Sequence, residues 1–456
     1  MTRYQDRFRA TTTLTCFRCS PRFFHPFCHM HSRRERRYLW QQCPGIGKCT
    51  VMANHPFSPL LLISTWAPIF VVISGMAQAY VLSGLILSKK AANALSLRNF
   101  FGGVLVTSLF LYLLSLVNMA FFHHPMDYAG EFRYTFLTGA LHAGHWVPFD
   151  MRLLFYNDAL SMISINGLLV TCILYFLWKI NWIPRTRKAS LLLLGVAASF
   201  FALSPLLHQK LDPIFLTAVE NGHAGTAFFL RFFVGIGFST FPYAAYGLTG
   251  AILGLFLAKR KEEIRLRRDG YRAATAMVLS SVVLMGITGF APKDVIHHPY
   301  PFKMQLLVLG TILLTCIWLI LKLEYFTEEQ RAYRAKKTVW LRRFGLLALT
   351  IFCFESVLSM LFSKAYCFLW GFDEAFPKTA PHILFFLALN VLFWTFVLKF
   401  WEKINFKYSI EWWISCLAGI VRGRPSARLQ ADAVLYKPCL LPEPVASPCP
   451  AGLENR

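Results

Sequence analysis

Residues 304–322 read Met-Gln-Leu-Leu-Val-Leu-Gly-Thr-Ile-Leu-Leu-Thr-Cys-Ile-Trp-Leu-Ile-Leu-Lys, uncharged until the last position. A surface helix of a soluble domain keeps a polar face. This run has none, and its length meets the roughly 20 apolar residues that a hydrocarbon core requires. Before it stands His298-Pro299, and after it the basic stretch from Arg331 to Arg343. The same pattern repeats along the chain, with apolar spans near residues 57–88, 100–122, 155–178, 189–207, 233–258, 273–291, 304–322, 344–362 and 381–400. In lipid each segment must satisfy its own backbone polar groups, so all of them are expected to be helices. The fold class predicted is all-α, a polytopic integral membrane helix bundle with about nine transmembrane helices.

Composition agrees. Of 456 residues, 56% are hydrophobic, 16% aromatic and 15% charged, and mean hydropathy is +0.46. Soluble domains carry about 25% charged residues. The net charge of +24 would by itself fit a nucleic-acid binder. Here the charges sit in short loops between apolar spans, so the expected partner is the lipid bilayer and not nucleic acid. The 12 cysteines give no disulfide framework. Cys172, Cys316 and Cys353 fall inside spans, where a free thiol is a small apolar filler. The first residues show no apolar stretch typical of a secretory signal.

The loops divide into two sets. One holds Lys89-Lys90, Arg185-Thr186-Arg187-Lys188, Lys259 to Arg272, Arg331 to Arg343 and Lys399 to Lys407. The other holds every histidine from His55 onward: His55, His123, His124, His142, His145, His208, His223, His297, His298 and His382. Excess Lys and Arg mark cytoplasmic loops. The C-terminus is then expected in the cytoplasm and the histidine-rich loops on the extracytoplasmic side. An odd number of spans puts residues 1–50 outside, although they include Arg3, Arg7, Arg9, Arg33, Arg34, Arg36 and Arg37. So basic a segment is a poor candidate for translocation. We expect a missing first helix, through a wrong start or a shifted reading frame, with residues 1–50 disordered or mis-translated. Residues 51–420 form the expected transmembrane domain, and the Pro-rich stretch 421–456 an expected disordered cytoplasmic tail.

Three groups of residues could carry chemistry. The histidines His123, His124, His142 and His145 lie beside turn residues, and imidazole suits proton transfer near neutral pH. The alternative is that these rings prefer the polar interface and bond to loop backbone. Imidazole also binds metals, but no acidic ligand recurs at fixed spacing. The cluster Cys16, Cys19, His25, Cys28, His29 and His31 fits no standard zinc spacing, so no metal is expected. Arg231 and Glu355 are ionisable residues within or at the end of spans, where they face a cavity, a substrate or an interhelical partner. Asp158 opens the third span and is expected to favour the helix dipole there. Gly247, Gly250 and Gly254 have the spacing of a close helix contact, and Pro242 should interrupt the start of that helix.

Several of these stretches, taken in order, resemble the multipass membrane acyltransferases typified by the heparan-α-glucosaminide N-acetyltransferase catalytic domain and its uncharacterised bacterial relatives. Trp66-Ala-Pro68-Ile-Phe70 leading to Ser74-Gly75 is similar to the family's second-helix motif. Asp158-Ala-Leu160-Ser-Met-Ile163, Phe241-Pro242-Tyr243 with Gly247 and Gly250, and His298-Pro299-Tyr300-Pro301 resemble three later motifs. Asp6-Arg7-Phe8-Arg9-Ala10 resembles the opening Asp-x-x-Arg-Gly, with Ala for Gly and no apolar helix after it. Tyr408-Ser409-Ile410-Glu411-Trp412 resembles a terminal motif of the bacterial members, or is an interfacial aromatic anchor. The resemblance covers roughly residues 55–420, in short motifs.

The resemblance implies an enzyme that takes an acyl group, in the first place acetyl, from acyl-CoA at the cytoplasmic side. It would pass the group to a hydroxyl or amine of a glycan or glycoconjugate on the other side. The family's base precedes the second-helix motif by about a dozen residues, which implies His55 here. His123, His124, His142 and His145 follow as further candidates, with Arg231, Glu355 and Asp158 as intramembrane polar contacts. The competing expectations are a transporter or channel with a Glu355 and Arg231 pathway, and a non-catalytic membrane scaffold. An oligomer is compatible with all three.

Overall fold

The structure is a computed structural model that describes residues 66–87, 94–124, 126–128, 131–259, 263–290, 294, 299–323, 328–372, 380–423 and 435–436. His55, His297, His298 and the Cys and His residues of positions 1–50 lie outside the described residues. Among those described, 9 helices are long and apolar enough to cross a membrane. The chain is an all-α polytopic bundle. In chain order the principal helices are α1 (Ile69–Leu87), α2 (Ala94–Val117), α3 (Phe136–Ala143), α4 (Ala159–Lys179), α5 (Thr186–Glu220), α6 (Ala224–Arg231) and α7 (Thr240–Ala258). They continue as α8 (Tyr271–Thr288), α9 (Phe302–Leu323), α10 (Glu328–Lys337), α11 (Val339–Leu346), α12 (Ala348–Trp370), α13 (Ala380–Glu402) and α14 (Ile410–Arg422). Between α2 and α3 lies a small antiparallel hairpin of β1 (Met126–Tyr128) and β2 (Glu131–Arg133).

Helices α1 and α7 form the centre, and glycine is the reason. A Cβ on Gly75 would collide with the Gly247 carbonyl oxygen. On Gly250 it would meet the Val72 oxygen, and on Gly254 the Met76 oxygen. In lipid no hydrophobic effect presses helices together, so close backbone approach through small residues supplies the packing. Helices α4 and α5 lie against α7, α2 lies against α4, and α8 pairs with α9. The outer faces remain apolar, with Leu279 on α8 59% exposed and Phe396 on α13 65% exposed, as a lipid-facing surface requires.

Three of the boundaries that depart from the sequence reading have a visible physical reason. The fourth span extends past Leu207 to make α5 35 residues long, with Pro205 and Pro213 inside it. Each proline removes one backbone hydrogen bond without ending the helix, so His208 is helical and not in a loop. The fifth span begins at Thr240 rather than near 233, and Phe241 has non-helical angles (φ −95, ψ 120) because Pro242 pushes its predecessor toward extended backbone. The eighth span moves from 344–362 to Ala348–Trp370. Its start is fixed by Glu411 of α14, whose carboxylate accepts N–H bonds from Leu349 (2.6 Å) and Thr350 (3.1 Å) and the Thr350 hydroxyl (2.5 Å). Leu435, in the tail stretch, is fully buried against Phe344, Leu346, Trp394, Leu398 and Phe406.

Candidate active site

One end of the bundle collects buried polar side chains. It is built from the end of α2, the start of α3, the start of α4, and the α6–α7 connection. The last turn of α2 widens at Asn118–Phe122, closed by the His123 N–H on the Asn118 carbonyl at 2.8 Å. Ser115 and Asn118, spaced three apart, share the helix face that meets α4. Both reach Asp158: the Ser115 hydroxyl donates to Oδ1 at 2.6 Å and the Asn118 amide to Oδ2 at 3.2 Å. Asp158 is also the N-cap of α4, accepting the Ser161 N–H at 2.8 Å. Such a cap satisfies an orphan donor and lies where the helix dipole favours negative charge. With 1% exposure, this carboxylate is held by three donors inside the protein.

His123 stands next to that charge. It is 5% exposed, with its ring 6.4 Å from the Tyr156 ring and 3.9 Å from the His124 ring, centre to centre. The hydroxyls of Thr135 and Thr138 donate to its carbonyl at 3.0 and 3.2 Å, which fixes the backbone on the α3 side. Nδ1 lies 3.1 Å from the His124 carbonyl. A carbonyl only accepts, so Nδ1 carries the proton and Nε2 keeps the lone pair. Burial pushes the His123 pKa below the usual imidazole range, opposed by the Asp158 charge and the His124 carbonyl. The ring is therefore neutral at physiological pH, with a defined basic nitrogen. Burial first, and then Asp158, raise the Tyr156 pKa well above the usual phenol range.

Arg231, at the end of α6, is 1% exposed, and its guanidinium is occupied by the protein. Nε donates to Asn157 Oδ1 at 2.9 Å, Nη1 to the Leu154 carbonyl at 2.6 Å and Nη2 to the Tyr156 carbonyl at 3.0 Å. The Tyr112 ring lies 5.5 Å beneath it. Asn157 returns a bond from Nδ2 to the Arg231 carbonyl at 3.0 Å. This clasp holds the turn that presents Asp158 to α4. These partners of Arg231 lie in the stretch of chain just before α4. Asn157 also bridges to the α6–α7 connection: its N–H donates to the Ile236 carbonyl at 3.0 Å and its carbonyl accepts from Phe238 N–H at 2.9 Å.

The other expected residues are placed differently. His142 is exposed and stacks on Tyr134 at 4.4 Å. His145 is exposed, with Nδ1 3.1 Å from the Ala143 carbonyl. Glu355 is buried on α12 at 8% exposure, and its neighbour Phe354 packs edge-on to Phe122. The structure thus joins His123, Asp158 and Arg231 in one cluster, while His142 and His145 stay at the surface. Sequence reading missed Ser115, Asn118 and Asn157, although two polar residues on one face of an apolar helix are a legible signal. Among the described residues no group of three or more His, Cys, Asp or Glu is placed to hold a metal ion. The chain matches no protein family, no curated protein and no solved structure.

Proposed function

We propose that this multi-pass membrane protein is an acyltransferase that uses acyl-CoA, with acetyl-CoA the first donor to test, to acylate a hydroxyl or amine of a glycan or glycoconjugate. The observation that carries the reading is His123, buried and neutral, with Nδ1–H on a carbonyl and Nε2 free to take a proton, beside the fixed carboxylate of Asp158. In the reaction the acceptor oxygen or nitrogen attacks the thioester carbonyl and loses its proton to Nε2. The carbon–sulfur bond then breaks, and the imidazolium returns that proton to the leaving thiolate. Asp158 stabilises the charged ring in between. Arg231 and Asn157 keep the Asp158 turn in place. The short motifs that resemble those of the multipass acyltransferases support the same reading, and through them His55 is a second candidate base. In this reading the basic loops face the cytoplasm and bring the CoA phosphates near, while the histidine end faces the acceptor.

The first test is thermal unfolding of the detergent-purified protein with and without acetyl-CoA. A ligand bound only by the folded state at about 100 times its Kd adds roughly 2.7 kcal/mol. A saturable rise in Tm, absent with ADP, is expected. No rise would remove acyl-CoA as the donor.

A second reading, transport, is favoured by one observation. Buried and half-buried polar side chains continue from the cluster into the bundle: Ser164 donates to the Ser108 carbonyl at 2.6 Å and Thr171 to Gln78 Oε1 at 3.0 Å. A polar seam of this kind can line an ion pathway. Proton flux into liposomes that is lost in Asp158→Asn, with no acyl transfer in the wild type, would favour it.

A further inference from the structure

A second cluster of titratable groups lies across the Asn157 bridge. On α5, His208 Nδ1 is 2.8 Å from Asp212 Oδ2. Its Nε2 is 2.8 Å from the Phe241 carbonyl and 3.2 Å from Ser239 Oγ. The other carboxylate oxygen of Asp212 accepts the Gly235 N–H at 3.1 Å. The order Ser239, His208, Asp212 is that of a nucleophilic triad, and two facts argue against that role. Nε2 faces a carbonyl, so it carries a proton and cannot take one from Ser239, whose hydroxyl goes to the same carbonyl at 2.6 Å. Ser239 is also fully buried.

Nδ1 faces the Asp212 carboxylate and Nε2 the Phe241 carbonyl, two groups that only accept, while the Ser239 hydroxyl near Nε2 is turned to that same carbonyl. A doubly protonated imidazolium satisfies both, whereas a neutral ring can satisfy one. We propose that His208 and Asp212 are a pH-sensitive clasp that, when His208 is charged, ties the overhang of α5 to the start of α7 and so holds the 232–239 loop against the Asp158 cluster. Helix α5, with 35 residues, rises about 52 Å, and a hydrocarbon core is about 30 Å thick. Its apolar run ends at Leu207, so the clasp sits beyond the lipid, where protons reach it. Among the described residues Asp212, from the same helix, is the charged group acting on His208. The α6–α7 connection contributes Ser239 and α7 the Phe241 carbonyl, both uncharged. Loss of the proton leaves one contact of two, and imidazole is the side chain that makes this change near neutral pH. The loop is then held by one fewer contact, and through Gly237 and Phe238 it bears on Asn157, the neighbour of Asp158.

Hydrogen exchange of the full chain in detergent, corrected for intrinsic rates, tests this without any substrate. It therefore stands or falls apart from acyl transfer. In the wild type, peptides covering 232–243 should exchange at least about threefold faster at high pH than at low pH. His208→Gln should be fast at both, and Asp212→Asn, a smaller change that keeps the side-chain shape, should lose the pH dependence. Corrected exchange that is flat with pH in the wild type would overturn the proposal. So would a pH dependence that survives in both variants, or covalent labelling of Ser239 by a fluorophosphonate probe.

Discussion

At the scale of single residues, burial decides which of the conspicuous side chains has chemistry available. His123 and His145 look alike in the sequence, each a histidine in a turn. His123 lies under Thr135 and Thr138 and beside Asp158, while His145 is exposed. The consequence is measurable. With its pKa lowered by burial in the folded state, His123 leaves the unfolded chain binding more protons as pH falls. The stability of the neutral ring is therefore full above the ordinary imidazole range near 6.5 and is lost as pH falls through that range. Wild-type Tm should drop from about pH 7.5 to about pH 5.5 by more than that of His123→Gln. Equal drops in the two would mean that His123 is not the buried neutral group described. Arg231→Ala should cost about 3–5 kcal/mol, as expected when buried partners lose a charged group, because the Leu154 and Tyr156 carbonyls and Asn157 each lose a donor. Denaturation with and without the substitution would measure it.

At the scale of elements, the close contacts are specific enough to mutate. Gly250→Ala forces a methyl against the Val72 carbonyl and should destabilise by about 1–3 kcal/mol, the usual cost of overpacking. Gly195→Ala has open space around it and should leave Tm unchanged or slightly raised, since alanine favours helix. If both substitutions behave alike, the α1–α7 seam is not where the bundle closes. Glu411→Ala removes the carboxylate that caps α12 and should cost about 1–2 kcal/mol. The helices themselves were legible because hydropathy alone decides membrane insertion, so Met304 to Lys322 read correctly from composition. Their ends were less so. The start of α12 depends on Glu411, some sixty residues away in sequence, and the continuation of α5 through two prolines depends on packing. Neither signal is local. The same holds for the cluster at Asp158: its cap role follows from position in the chain, but Ser115, Asn118 and Arg231 reach it only through the fold.

For the whole molecule, the division of charge predicts sidedness. Lys188 and His145 should lie on opposite sides of the membrane, since the basic loops mark the cytoplasm. Introduced cysteines at these positions, treated in intact cells with an impermeant maleimide, should label at His145→Cys and not at Lys188→Cys. The reverse pattern would invert the proposed topology and move the histidine end to the side where CoA resides. The most direct test of the central proposal is release of free CoA thiol from acetyl-CoA by purified protein in liposomes, with glucosamine as the amine probe. Acyl transfer through His123 predicts thiol release coupled to acetylated glucosamine, falling at least about 100-fold in His123→Gln, the scale of a lost general base, while the variant keeps its acetyl-CoA-induced rise in Tm. Release that is undiminished in His123→Gln would contradict it, as would a wild-type protein that binds acetyl-CoA and transfers nothing.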